Sequence, residues 1–187
     1  MPSRFSIDID DAALRAGLAR MAQRSGALQP ALRQIGELLV ASTKARFQTG
    51  TAPDGQRWAP NSRATIERGF ARRSTGRKGY LDKGGRVTKR GAGFIAGKRP
   101  LIGESKSLSR QIYPRAGANW VEIRSGVDYA AVQQFGARKG QFGRTRRGSP
   151  IPWGNIPARP FLGISATDRV AITDTLAEHL VGFIRPK

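Results

Sequence analysis

The sequence predicts an α+β domain, a small antiparallel sheet packed with N-terminal and C-terminal helices, with a long basic Gly/Arg-rich arm. Three observations carry this. Apolar residues recur at intervals of three and four towards both ends of the chain, the signature of helices with one buried stripe. Two short runs, Gln111-Ile-Tyr113 and Asn119-Trp-Val-Glu-Ile-Arg124, are rich in β-branched and aromatic residues and are separated by Pro114 to Ala118, which reads as a pair of antiparallel strands. Between helices and strands, residues 63–99 shift to Arg, Lys and Gly, with Glu67 and Asp82 as the only acids and few large apolar side chains. Such a segment buries too little surface to offset its ordering entropy, so it is expected as an extended loop or arm with at most a short helix near Ala64 to Phe70.

In chain order, Phe5, Ile7 and Ile9 alternate with polar neighbours and predict a first strand. Asp10 or Asp11 can cap a helix that places Leu14, Leu18 and Met21 on one face and ends near Ser25-Gly26. The next helix has the better stripe, Leu28, Leu32, Ile35, Leu39 and Thr43, with Pro30 tolerated in its first turn. It should end near Phe47 to Gly50, after which Asp54-Gly55 makes a tight turn that presents Trp58. Beyond the strands, Asp128 is positioned to cap a short helix from Tyr129 to Phe135 that Gly136 terminates. A second basic loop, Arg138 to Arg147, follows. A closing helix from about Asp168 to Ile184 puts Ile172, Leu176, Leu180 and Ile184 on one stripe.

With 187 residues the chain fits one domain, residues 1–187, long enough to bury about 70% of its unfolded surface. A formal charge of +20 points to contact with a polyanion, either nucleic acid or an acidic protein surface. There is no cysteine, hence neither a disulfide framework nor a thiolate metal site. No segment approaches the roughly 20 apolar residues of a membrane span, so no membrane partner is expected.

Enzymatic readings find little support. His179 is the only histidine and has no cysteine to pair with; it reads as a partly exposed residue of the last helix. Asp8, Asp10 and Asp11 sit where a strand gives way to a helix and read as capping residues rather than metal ligands. Gly91-Ala-Gly-Phe-Ile-Ala96 matches a dinucleotide fingerprint in form only, because neither a strand before it nor a periodic helix after it is indicated. No catalytic residue, cofactor or metal is expected. The basic residues Arg72, Arg73, Arg77, Lys78, Arg86, Lys89 and Arg90, with Arg144, Arg146 and Arg147 of the second loop, are candidates for contact with DNA or with an acidic partner. The first arm has few aromatics to stack on bases, which leans towards protein.

A docking edge is the remaining candidate. In Ile156-Pro-Ala-Arg-Pro-Phe-Leu-Gly-Ile164, Pro157 and Pro160 lock their own φ and hold Ile156 and Arg159 extended. Trp58, Arg159, Pro160 and Phe161 are therefore expected at a subunit or partner interface. Tyr129 and Phe135, six residues apart on a short helix, cannot both face one core, so one of them should be available to a neighbour.

Four segments occur in a particular order: Pro53-Asp-Gly-Gln-Arg-Trp-Ala-Pro60, Leu101-Ile-Gly-Glu-Ser-Lys-Ser-Leu108, Asp128-Tyr-Ala-Ala-Val-Gln-Gln-Phe-Gly136 and Ile156 to Ile164. In order and spacing they resemble the virion morphogenesis, or tail-completion, proteins of Mu-like tailed bacteriophages, from Phe47 to the C-terminus. The chain departs from that pattern at Gln133, where many such proteins carry His, and in the Arg- and Gly-rich matter before Leu101. The resemblance implies a structural virion protein made in the host cytoplasm. It would act in tail completion or head-to-tail joining at the neck, as a hexameric ring touching adjacent neck and tail proteins and packaged double-stranded DNA. The alternative from composition is a non-specific double-stranded nucleic-acid-binding protein.

Overall fold

A computed structural model describes residues 28–73, 79–103 and 105–184. The expected first strand and first helix lie outside these residues. Helix α1, Leu28–Thr49, is the wall on which the rest is laid. Its expected stripe is real: Leu28, Leu32, Ile35, Leu39 and Thr43 are all buried. Each large aliphatic side chain so buried is worth about 1.5–3 kcal/mol. The helix stops where Gly50 takes a φ of 71° and donates its N–H to the Arg46 carbonyl at 2.7 Å.

Strands β1, Ile112–Ala116, and β2, Val121–Ser125, pair antiparallel with Tyr113 opposite Arg124 and Arg115 opposite Glu122. Pro114, expected in the connecting turn, lies inside β1 opposite Ile123. Among the described residues β1 has no second neighbouring strand, so the ladder tolerates a residue whose missing N–H would point away from β2. Along β1, buried Ile112 and half-buried Pro114 and Ala116 alternate with exposed Tyr113 and Arg115. Ala116, Val121 and Ile123 pack against the α1 stripe.

The last helix, Ala166–Ile184, lays Ile172 and Leu176 against the same stripe. Two short helices lie between: Ser107–Arg110 before the sheet and Ala130–Phe135 after it. The second was expected to be capped by Asp128, yet its N-cap is Tyr129 with no side-chain cap bond, and the Ala130 N–H goes to the Val127 carbonyl at 3.0 Å.

The described parts of residues 63–99, a segment expected as an extended arm, instead form a small lobe: residues 63–73 and 79–99. Helices Arg63–Arg73 and Lys89–Gly97 enclose a turn in which Leu81 bridges Val87. Phe70 stacks on Tyr80 at 4.9 Å, and Phe94 meets both rings at 5.2 and 5.5 Å. Three aromatics far apart in sequence thus supply the core that the composition of any short window conceals. The lobe closes at its base, where the Asn61 amide donates to the Lys98 carbonyl at 2.9 Å and Arg99 donates to the Gln48 carbonyl at 2.9 Å. Numbered in chain order, the helices after α1 are α2 (Arg63–Arg73), α3 (Lys89–Gly97), α4 (Ser107–Arg110), α5 (Ala130–Phe135) and α6 (Ala166–Ile184).

Candidate functional site: the junction of the sequence motifs

The four motif segments, spread over a hundred residues, meet at one place. The Asp54-Gly55 turn is built as expected: Asp54 Oδ1 accepts from the Gln56 N–H at 2.9 Å, and Thr51 bridges Arg57. Trp58, however, points inward and is 6% exposed. Its ring packs edge-on against Phe47 at 5.4 Å, and its Nε1–H donates to the Pro160 carbonyl at 2.7 Å. Phe161 is fully buried and its ring also packs on Phe47, at 5.4 Å. Leu101 and Ile102 of the second motif pack on the same cluster.

Arg159 was expected to stand at an interface rim. It is buried instead, giving its Nε–H to the Ala59 carbonyl and its Nη2–H to the Pro60 carbonyl, both at 2.8 Å. Burial lowers its pKa. The expectation that Trp58, Arg159 and Phe161 form an exposed edge is therefore corrected. Residues 157–160 belong to no helix or strand, so the backbone N–H and C=O groups around them lack partners in a ladder, and the interior satisfies several of them through these side chains. Pro160 is half-buried beside them.

Two residues that sequence reasoning passed over complete the junction. Gln134 of the third motif is buried; its Oε1 accepts from the N–H groups of Phe161 at 2.9 Å and Leu162 at 3.0 Å, and its Nε2 donates to the Leu162 carbonyl at 3.0 Å. One amide side chain thus substitutes for a neighbouring strand. The Gln133 backbone carbonyl accepts from the Arg159 N–H at 2.8 Å, so the side-chain difference at Gln133 leaves this link untouched.

Arg46 reaches from α1 to the far side of the segment. It donates to the carbonyls of Phe161 at 3.0 Å and Gly163 at 2.9 Å, and pairs with the Asp168 carboxylate. Asp168 also accepts from the Ser165 N–H at 2.8 Å, while Ser165 Oγ accepts from the Asp168 N–H at 3.1 Å. That reciprocal pair is a capping box at the start of α6, visible in the sequence as Ser165-Ala-Thr-Asp168. Burial pushes the Asp168 carboxyl up, but bonds from Ser42 and Ser165 and the Arg46 charge outweigh it and hold the pKa below the ordinary value. Burial draws Arg46 down, opposed by Asp168.

Two of the motif glycines, Gly136 and Gly163, are explained by the same crowding. Gly136 has a φ of 76°, and a Cβ there would lie 2.7 Å from the Ile156 carbonyl oxygen. Gly163 has a φ of 151°, and a Cβ there would lie 2.7 Å from Pro53.

Replacing Trp58 with Phe keeps the ring in the cluster but leaves the Pro160 carbonyl without its donor. We expect a loss of about 1–2 kcal/mol in urea unfolding; an unchanged midpoint would mean that water takes over the bond.

The surface carries the remaining candidates. Tyr129 and Phe135 are 48% and 58% exposed. Arg86, Lys89 and Arg90 are exposed on the lobe, with the Arg90 guanidinium 5.1 Å over the Tyr80 ring. Arg72 and Arg73 close α2, whereas Arg77 and Lys78 lie outside the described residues. Arg144, Arg146 and Arg147 are exposed at the end of an irregular hairpin from Ala137 to Ile156. Among the described residues, no group of three or more His, Cys, Asp and Glu side chains could hold a metal ion, and no helix is long and apolar enough to cross a membrane.

No curated protein and no solved structure matches the chain. The model of the phage virion morphogenesis family matches residues 9–181, a span that includes all four motif segments, the buried junction they form and both basic excursions. This protein belongs to the phage virion morphogenesis family.

Proposed function

We propose that this protein completes the phage tail at the neck, joining tail to head as one subunit of a ring, and that its role is assembly rather than catalysis. One observation carries the reading beyond the family. Among the described residues, six aromatics, Tyr113, Trp120, Tyr129, Phe135, Phe142 and Trp153, are more than 40% exposed, although the domain has a buried core of its own. Exposed aromatics in that number are a signature of surfaces that other proteins cover. Tyr129 is the N-cap of α5 and Phe135 its last residue, and Gln134 of the same helix is anchored in the junction, so the rigid interior fixes how they are presented. Ring contacts of this kind join two different patches and close by rotation.

The test is the mass of the purified protein alone and after mixing with tails assembled without it. A defined ring on the tail end, lost when Tyr129 and Phe135 are both replaced by Ala, is expected. A protein that stays monomeric and ignores tails would sink the reading. The charge of +20 favours a second one, non-specific binding to double-stranded DNA. In the lobe, Glu67 pairs with Arg63 and Asp82 is occupied in its turn, so the lobe's exposed cations face outward with little local opposition. That reading requires the free protein to bind any duplex with a log affinity falling linearly in log salt.

A further inference from the structure

The hairpin from Ala137 to Ile156 is too ordered to be a loop and too poorly covered to be core. Ala137 and Ile156 exchange N–H···O bonds at 2.9 and 2.8 Å, the Phe142 N–H meets the Ile151 carbonyl at 2.8 Å, and the Thr145 N–H meets the Ser149 carbonyl at 2.8 Å. Lys139 N–H is held by the Asn155 side chain at 2.9 Å, and Arg144 donates to the Gly148 carbonyl at 3.0 Å across the tip. The shape is therefore set before any partner arrives, which lowers the entropic cost of docking.

Its surface has two parts. Arg138, Lys139, Arg144, Arg146 and Arg147 are all exposed, and residues 137–156 contain no acid. Phe142, Ile151 and Trp153 are 53%, 38% and 70% exposed. Cations alone would suit a phosphate backbone, but a duplex offers no unpaired base on which Phe142 and Trp153 could stack. A second copy of the chain would bring another +20 towards five cations. Exposed Trp, Phe and Arg on one rigid element are what protein interfaces concentrate.

We propose that this hairpin docks into a different virion protein, one that offers an apolar pocket to Trp153 and Phe142 and carboxylates to Arg146 and Arg147. The inference rests on the assembly reading above and adds to it a chemically defined partner distinct from the ring contact.

Tails assembled without this chain, mixed with purified full-length protein, provide the test. Two variants are compared with the parent: Phe142→Ala with Trp153→Ala, and Arg146→Glu with Arg147→Glu. All four side chains are exposed, so both variants should melt within about 2 °C of the parent. Each is expected to lower incorporation about tenfold or more. A photoreactive phenylalanine at position 153 should crosslink to a tail protein that carries an excess of Asp and Glu around the attachment point. Normal incorporation of either variant overturns the hairpin proposal while leaving the assembly reading intact. Crosslinking to the chain's own copies also overturns it, as does loss of binding to a 30-base-pair duplex by the Arg variant with tail entry unchanged. A parent protein that never enters tails overturns both.

Discussion

Replacing Arg46 with Met is expected to cost about 3–5 kcal/mol, because it strips a buried carboxylate of its charged partner and leaves it in the interior. The side chains of Arg46 and Asp168 are 7% and 5% exposed. The Met side chain fills much of the space of the Arg stem, so the loss isolates the guanidinium. Besides Asp168, the carbonyls of Phe161 and Gly163 would each lose a donor. With a total stability of about 5–15 kcal/mol typical of such a domain, a change of this size puts the protein close to unfolding at room temperature. Urea unfolding measures it directly, and a loss below about 1 kcal/mol would show that the network is replaceable. The acid limb gives an independent check. The Asp168 pKa is depressed in the folded state, so its contribution is complete above the unfolded carboxyl value of about 4 and disappears as pH falls towards the folded pKa. Asp168→Asn should therefore lose stability near neutral pH and show a flatter decline below about pH 4 than the parent. Equal slopes would place the acid sensitivity elsewhere.

Gln134→Leu is expected to cost about 3 kcal/mol or more, since it keeps the volume but orphans three buried backbone groups, the N–H groups of Phe161 and Leu162 and the Leu162 carbonyl. The effect should be local as well as global. Amide hydrogens of Phe161 and Leu162, protected in the parent, should exchange much faster in the variant, while those of α1 change only with overall stability. Gln134→Glu separates the two halves of the amide's role, retaining an acceptor for both N–H groups and losing the donor to Leu162. We expect it to be destabilised too, because a carboxylate would face the Leu162 carbonyl in the interior. Variants that left exchange at Phe161 and Leu162 unchanged would contradict the account of the extended segment as a strand completed by one side chain.

Both residues belong to the class that single-sequence reading handles poorly. Arg46 sits in a basic chain where one more arginine attracts no notice; its place three residues after Thr43 continues the buried stripe, off which Lys44 falls, but that spacing says nothing of its distant partner Asp168. Gln134 stands next to Gln133, and periodicity cannot say which one faces inward on a six-residue helix. The capping box was legible, since Ser165-Ala-Thr-Asp168 has the required spacing, and it places the start of α6 slightly before the position that the apolar stripe alone suggests. The lobe is the opposite case. Phe70, Tyr80 and Phe94 lie ten and fourteen positions apart in mostly polar chain, and their value as a core exists only once they are stacked.

By itself, the sequence determined α1, the antiparallel pairing of β1 with β2, the body of α6 and the family, because periodic apolar spacing and ordered motifs are local and one-dimensional signals. Only the tertiary structure decided that Trp58, Arg159 and Phe161 are staples of the interior rather than a docking edge, and that Tyr129 and Phe135 at the two ends of α5, and Phe142 and Trp153 on the hairpin after it, are exposed. The physical reason is that an extended, proline-bound segment must have its backbone groups satisfied somewhere. Whether a neighbouring subunit or the chain's own side chains provide the partners depends on distances across a hundred residues, which no local pattern encodes.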